Sequence, residues 1–136
     1  MADKTYGPKV YNKDGGDTLV IAEGGSMENQ DYGAVTQITS RATGVTLSKL
    51  AGTITTDATS LAAAAEITFT VTNTKVAATD TVVCCVKSGG TTPGSTQATV
   101  SAVAAGSFDI TLNNLHATVA DTAALVINFY VLKANA

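Results

Sequence analysis

Glu66-Ile67-Thr68-Phe69-Thr70-Val71-Thr72, written EITFTVT, alternates without a break. In an extended chain Ile67, Phe69 and Val71 share one face, and Glu66, Thr68, Thr70 and Thr72 share the other. That is a half-buried strand, with a core on one side and water on the other. The stretch SFDITLN repeats the pattern, with Phe108, Ile110 and Leu112 inward and Asp109 and Thr111 outward. GVTLSK sets Val45 and Leu47 against Thr46 and Ser48. Two further runs, Val82 to Val86 and Leu125 to Leu132, are apolar on both faces. Such strands lie centrally in a sheet, or have their outer faces covered by another chain.

Turn signals separate these runs at roughly 8–15 residues, the spacing expected of a sandwich or barrel. SGGTTPGST (88–96) reads as a long hairpin loop and Gly106 as the pivot of a tight turn. NNLHATVADTA (113–123) is long enough to cross between sheets, and LAAAAE (61–66) is too short to hold a helix unaided. The expected fold is therefore all-β, a β-sandwich of the jelly-roll kind, with an immunoglobulin-like sandwich as the alternative. The Cys-Trp-Cys hallmark of immunoglobulin domains is missing, since the chain has no Trp.

With 136 residues the chain is one domain with at most a tail. Residues 1–33 are polar and glycine-punctuated and read as an extended amino-terminal arm carrying a short strand; residues 34–136 read as the sandwich. Charged residues make up 14% of the chain, against about 25% in average globular proteins. A surface so thin in charge suits one that is covered in the working state. The net charge of −3 and eight scattered basic residues argue against nucleic acid as a partner. No apolar run is long enough to span a membrane, and MADKTYGPKV lacks the apolar segment of a signal peptide, so synthesis in the cytoplasm is expected.

The residue types that carry chemistry are few. His116 is the sole histidine and sits in a loop without a G-x-S-x-G elbow, which reads as solvent-exposed. Asp14 and Asp17 read as solvated turn residues, because the oxygen-ligand series of a calcium loop is incomplete. The glycine-rich stretches do not match a phosphate-binding loop. Cys84 and Cys85 are adjacent, so on a strand they point to opposite faces and cannot bridge; both read as buried, reduced thiols. No catalytic residue, metal ligand, cofactor or small-molecule substrate is expected, and the chain is read as a non-enzyme.

The candidate binding element is DGGDTLVIAEGGS (14–26), where one short apolar strand lies between two Gly-Gly pairs. Thr18, Leu19, Val20, Ile21 and Ala22 are read as a hinged strand that adds to a sheet edge on another chain. Tyr6, Tyr11 and Tyr32 are candidate anchors for the arm, since Tyr is enriched at interfaces. Ordering about five residues costs roughly 5–10 kcal/mol, so one such arm is a weak tether. Many arms acting on one lattice multiply that affinity.

The series VTQITSRATGVTLSKLAGTITT (35–56), EITFTVTN (66–73), VAATDTVV (76–83), VAAGSFDITLNN (103–114) and ADTAALVINFYVLK (120–133) resembles the head decoration, or cementing, proteins of tailed bacteriophages. The resemblance implies a β-rich virion protein on the outer capsid surface that joins neighbouring major capsid proteins and stabilises the shell. It also implies many copies per particle and no enzymatic role. Phage head-fibre and tail-fibre proteins share similar phrases, which makes a fibre or receptor-binding component the alternative. Self-association is expected, as a two-fold dimer before a trimer.

Overall fold

The computed structural model describes residues 9–134. The chain divides into two compact units, one ending at Gln30 and the other spanning Asp31–Ala136. The division falls before Tyr32 and Gly33, which were expected in the arm.

The first unit holds β1 (Val10–Lys13) and β2 (Thr18–Ile21), and the second is an all-β sandwich of eight strands: β3 (Tyr32–Thr36), β4 (Val45–Thr46), β5 (Ala51–Thr55), β6 (Glu66–Thr72), β7 (Thr81–Gly89), β8 (Thr96–Ala104), β9 (Ser107–Asn114) and β10 (Leu125–Leu132). They form two four-stranded sheets, ordered β3-β5-β10-β7 and β4-β6-β9-β8. Strand number and two-sheet layering are compatible with a jelly roll. Two parallel pairs, β3–β5 and β4–β6, are additional to an all-antiparallel scheme. They arise because the first strands alternate between sheets, so two crossings bring the chain back running the same way. The one connection within a sheet is the tight β8–β9 turn, where Gly106 takes a φ of 84°.

Alternation places the core. Phe69 and Val71 of β6 and Phe108, Ile110 and Leu112 of β9 face Ile127, Phe129 and Val131 of β10, all buried. The Phe108 and Phe129 rings meet at 5.2 Å with planes tilted by 55°, a favourable aromatic pair. Gly52 on β5 is dictated by this packing: an added Cβ would lie 2.7 Å from Leu47 Cδ2 and 2.8 Å from Phe129 Cε1.

One end of the sandwich is closed by polar groups. Arg41 and Asp121 are each 1% exposed and pair at 3.5 Å. Arg41 also donates to the carbonyls of Thr59 (2.5 Å), Ala123 (2.7 Å) and Asp121 (3.3 Å). Asp121 accepts from Thr91 N–H, Ala123 N–H and the Thr96 hydroxyl. Burial pushes the Asp121 carboxyl up, and these donors with the Arg41 charge outweigh it, leaving the group below the usual carboxylate range. Gln37 ties the same region, donating to Arg41 O and Thr43 O while accepting from Asp57 N–H.

Three expectations are corrected. Residues 88–96 join β7 to β8 in the other sheet, so the segment is a crossover and not a hairpin loop. β7 is an edge strand, so Val83 and Cys85 on its outer side are exposed; only Cys84 turns inward, where burial pushes its thiol up to about 11. His116 is half-buried, and its Nδ1 accepts from the N–H groups of Thr118 and Val119, which holds the 113–123 crossover in place.

Candidate functional site

The first candidate surface is the amino-terminal unit. β1 (Val10–Lys13) and β2 (Thr18–Ile21) form an antiparallel ribbon in which Val10 pairs with Ile21, Tyr11 with Val20, Asn12 with Leu19 and Lys13 with Thr18. The expectation of an isolated strand is corrected: Thr18, Leu19, Val20 and Ile21 pair within their own chain, and Ala22 N–H donates to Lys9 O at 2.7 Å. The physical reason lies in Asp14-Gly15-Gly16, whose φ values of 55°, 73° and 107° turn the chain back on itself. The first Gly-Gly is thus a hairpin turn where a hinge was expected.

Pairing one edge leaves the other edge of each strand open. The Lys9–Ala22 bond sets the phase of the ladder, and hydrogen-bonded pairs alternate along it. The peptide groups of Val10 and Asn12 on β1, and of Leu19 and Ile21 on β2, therefore point outward. Val10, Asn12, Leu19 and Ile21 share one side-chain face; Tyr11, Lys13, Thr18 and Val20 share the other. None of residues 9–30 is buried, and Leu19 is 61% exposed.

Of the three candidate anchors, Tyr11 lies on the ribbon and is exposed. Tyr32 belongs to β3 in the sandwich, and Tyr6 lies outside the described residues. The structure brings Tyr11 together with the candidate strand and assigns Tyr32 to the other unit.

The second candidate surface was only half visible in the sequence. Strand register places Tyr32, Ala34 and Thr36 of β3, Ala51, Thr53 and Thr55 of β5, Val126, Asn128, Tyr130 and Leu132 of β10, and Thr81, Val83 and Cys85 of β7 on the outer face of the β3-β5-β10-β7 sheet. No acidic side chain occupies these positions, and the basic Lys87 stands at the margin in the bulge of β7. The polar atoms are paired among themselves: Thr53 donates to Asn128 Oδ1 at 2.8 Å, so the Tyr32 hydroxyl donates to Thr53 Oγ1 at 2.6 Å. A depression of about 390 Å³ lies between Tyr32, Tyr130, Val83 and Cys85, floored by Ala51 and Gly52. The signal in the sequence was the two-faced apolar pattern of 82–86 and 125–132. The contributions of Tyr32 and Thr53 carried no signal, because they depend on which strands become neighbours.

The opposite outer face, on the β4-β6-β9-β8 sheet, is chemically different. Thr68 meets Thr111 at 2.7 Å, Thr111 donates to Ser101, and Thr70 donates to Asp109. It is a hydroxyl ladder flanked by Glu66 and Asp109.

Asp14 and Asp17 sit in the exposed ribbon turn. Among the described residues no three His, Cys, Asp or Glu side chains come together as metal ligands, and no helix is long and apolar enough to cross a membrane. No protein-family model, curated protein or solved structure matches the chain.

Proposed function

We propose that the chain is a structural protein of a tailed-phage virion that binds the outside of the head and cements neighbouring major capsid proteins. The observation that carries this reading is the ribbon: two open edges, outward peptide groups at Leu19 and Ile21, and apolar side chains exposed on its faces. A two-stranded ribbon is marginal alone and gains stability when a third strand or an apolar surface is added. Its outward peptides supply hydrogen bonds to a neighbouring sheet edge, and Leu19 and Ile21 supply side-chain specificity.

Binding only to the assembled shell shifts the equilibrium against disassembly, so many weak clamps raise the stability of the particle without any chemistry. The sparse charge of the chain and its resemblance to decoration proteins support the same assignment.

Deletion of residues 1–26 tests it. The expected result is loss of the protein from purified heads while the sandwich still melts cooperatively. Undiminished occupancy of heads by the folded, shortened chain would transfer the decisive contacts to the sandwich and sink the clamp. Gold labelling of intact virions gives a second readout: label on the head supports the assignment, and label confined to the tail replaces it with the fibre reading.

A further inference from the structure

We propose that the outer face of the β3-β5-β10-β7 sheet is the contact between two copies of this chain, related by a two-fold axis. The inference concerns the sandwich and stands independently of what the ribbon binds.

Charge favours a second copy as the occupant. The chain carries a net charge of −3, and a two-fold contact sets a patch against a copy of itself, so a face bearing charge of one sign repels its copy. On the opposite face the charged strand positions are the acids Glu66 and Asp109, and two copies would set carboxylates against carboxylates. On the β3-β5-β10-β7 face there is no acidic group to repeat.

Dehydration is also inexpensive there. The Tyr32, Thr53 and Asn128 chain already satisfies hydroxyl donors that an interface would otherwise strip of water. Shape points the same way. Tyr32, 55% exposed, and the half-buried Tyr130 wall the depression, so one face offers both aromatic rings and a hollow of about 390 Å³. A two-fold axis places rings against hollow in both directions at once, which is what a self-complementary patch requires.

Size sets the strength. β3 and β5 of five residues, β10 of eight and β7 of nine, at about 3.3 Å rise and about 4.8 Å spacing, span roughly 430 Å² per copy. The buried total of roughly 850 Å² lies below the size of stable complexes and in the range of weak, transient contacts. Such a contact is unstable in dilute solution and forms where copies are concentrated.

Sedimentation velocity of the full chain over a concentration series tests the proposal. The expected result is a reversible monomer–dimer equilibrium. Val83→Lys and Leu132→Lys, at positions 49% and 48% exposed and therefore tolerable to the fold, each weaken it at least about 100-fold. Thr68→Lys, on the opposite face, leaves it unchanged. Cys85 supplies an independent signal: its alkylation slows as the chain concentration rises through the dissociation constant, and Val83→Lys abolishes the slowing. A chain that stays monomeric to several hundred micromolar overturns the proposal. So does a trimer, or a dimer indifferent to both lysine variants while far-ultraviolet dichroism shows them folded. These outcomes are separable from loss of head binding on ribbon deletion, which involves other residues.

Discussion

In the sandwich, Phe108, Ile110, Leu112 and Ile127 are sealed from solvent, whereas in the ribbon Val10, Leu19 and Ile21, no less apolar, stand exposed. Both regions are built of β-strands in one chain, and both alternate side chains across a pleat. The sandwich closes apolar face on apolar face, and it pairs its buried polar ends through Arg41, Asp121, Asn73 and Asn114, with Arg41 Nη1 left without a partner. The ribbon does neither. A region that is complete in itself gains little from a partner, while one that leaves its edges and apolar faces open gains much. The difference places the buried core in one region and the exposed apolar strands in the other, and the contrast can be broken at either end.

The largest expected effect lies at the buried ion pair. Arg41→Met removes the positive charge beside a carboxylate that is 1% exposed and strips a donor from three carbonyls. Losing one partner of a buried pair costs about 3–5 kcal/mol, so urea unfolding of the sandwich should shift by that amount, with the slope unchanged. Phe108→Ala tests the core in the same way, at about 3–5 kcal/mol for lost burial, cavity and ring contact. A loss below about 1 kcal/mol in both, which is the scale of surface changes, would remove the claim that the sandwich is self-sufficient.

Acid is expected to weaken the sandwich progressively. Lys75, then the Leu50 N–H and Lys49 against the cost of desolvation, hold the Asp31 carboxyl at about 2. Asp80 is held down by the Ala77 N–H and by Lys133, and Asp121 also lies below its usual value. A carboxyl with a folded pKa below its unfolded value contributes stability that is fully present above about pH 4 and fades as pH falls through the folded value. The melting temperature should therefore hold level from about pH 7 to about pH 5 and drop between about pH 4 and pH 2. Asp31→Asn should flatten part of the drop.

How much of this was readable in the chain follows from where each instruction resides. Glu66–Thr72 and Ser107–Asn114 announced their faces locally, because alternation is a property of neighbours, and the core residues followed. Gly106 and the 113–123 crossover were legible for the same reason. The Arg41–Asp121 pair joins positions 80 apart, and no local pattern marks it. Sheet membership is equally non-local: 88–96 looks like a hairpin loop until β7 and β8 are known to lie in different sheets. The candidate strand Thr18–Ile21 was found, and its pairing was missed. A Gly-Gly between two short runs is written alike for a hinge and for a turn. Val10–Lys13, the run it pairs with, is too polar to register as a strand.

The smallest effect on stability carries the most functional information. Leu19→Ser with Ile21→Ser changes two exposed side chains on an outward-pointing edge, and leaves the Phe108–Phe129 core untouched. Exposed substitutions of this kind shift unfolding by less than about 0.5 kcal/mol, so the sandwich should melt as before. Binding to heads should nevertheless fall, because the same side chains would fill pockets on the receiving sheet, and the loss is repeated at every copy on the lattice. Val20→Ser, whose peptide group is engaged inside the ribbon, is the matched control for polarity and should cost less binding. Equal retention of both variants on purified heads, measured by quantitative gel densitometry, would show that the ribbon's exposure has no consequence for association. The contrast between the two regions would then be one of packing alone.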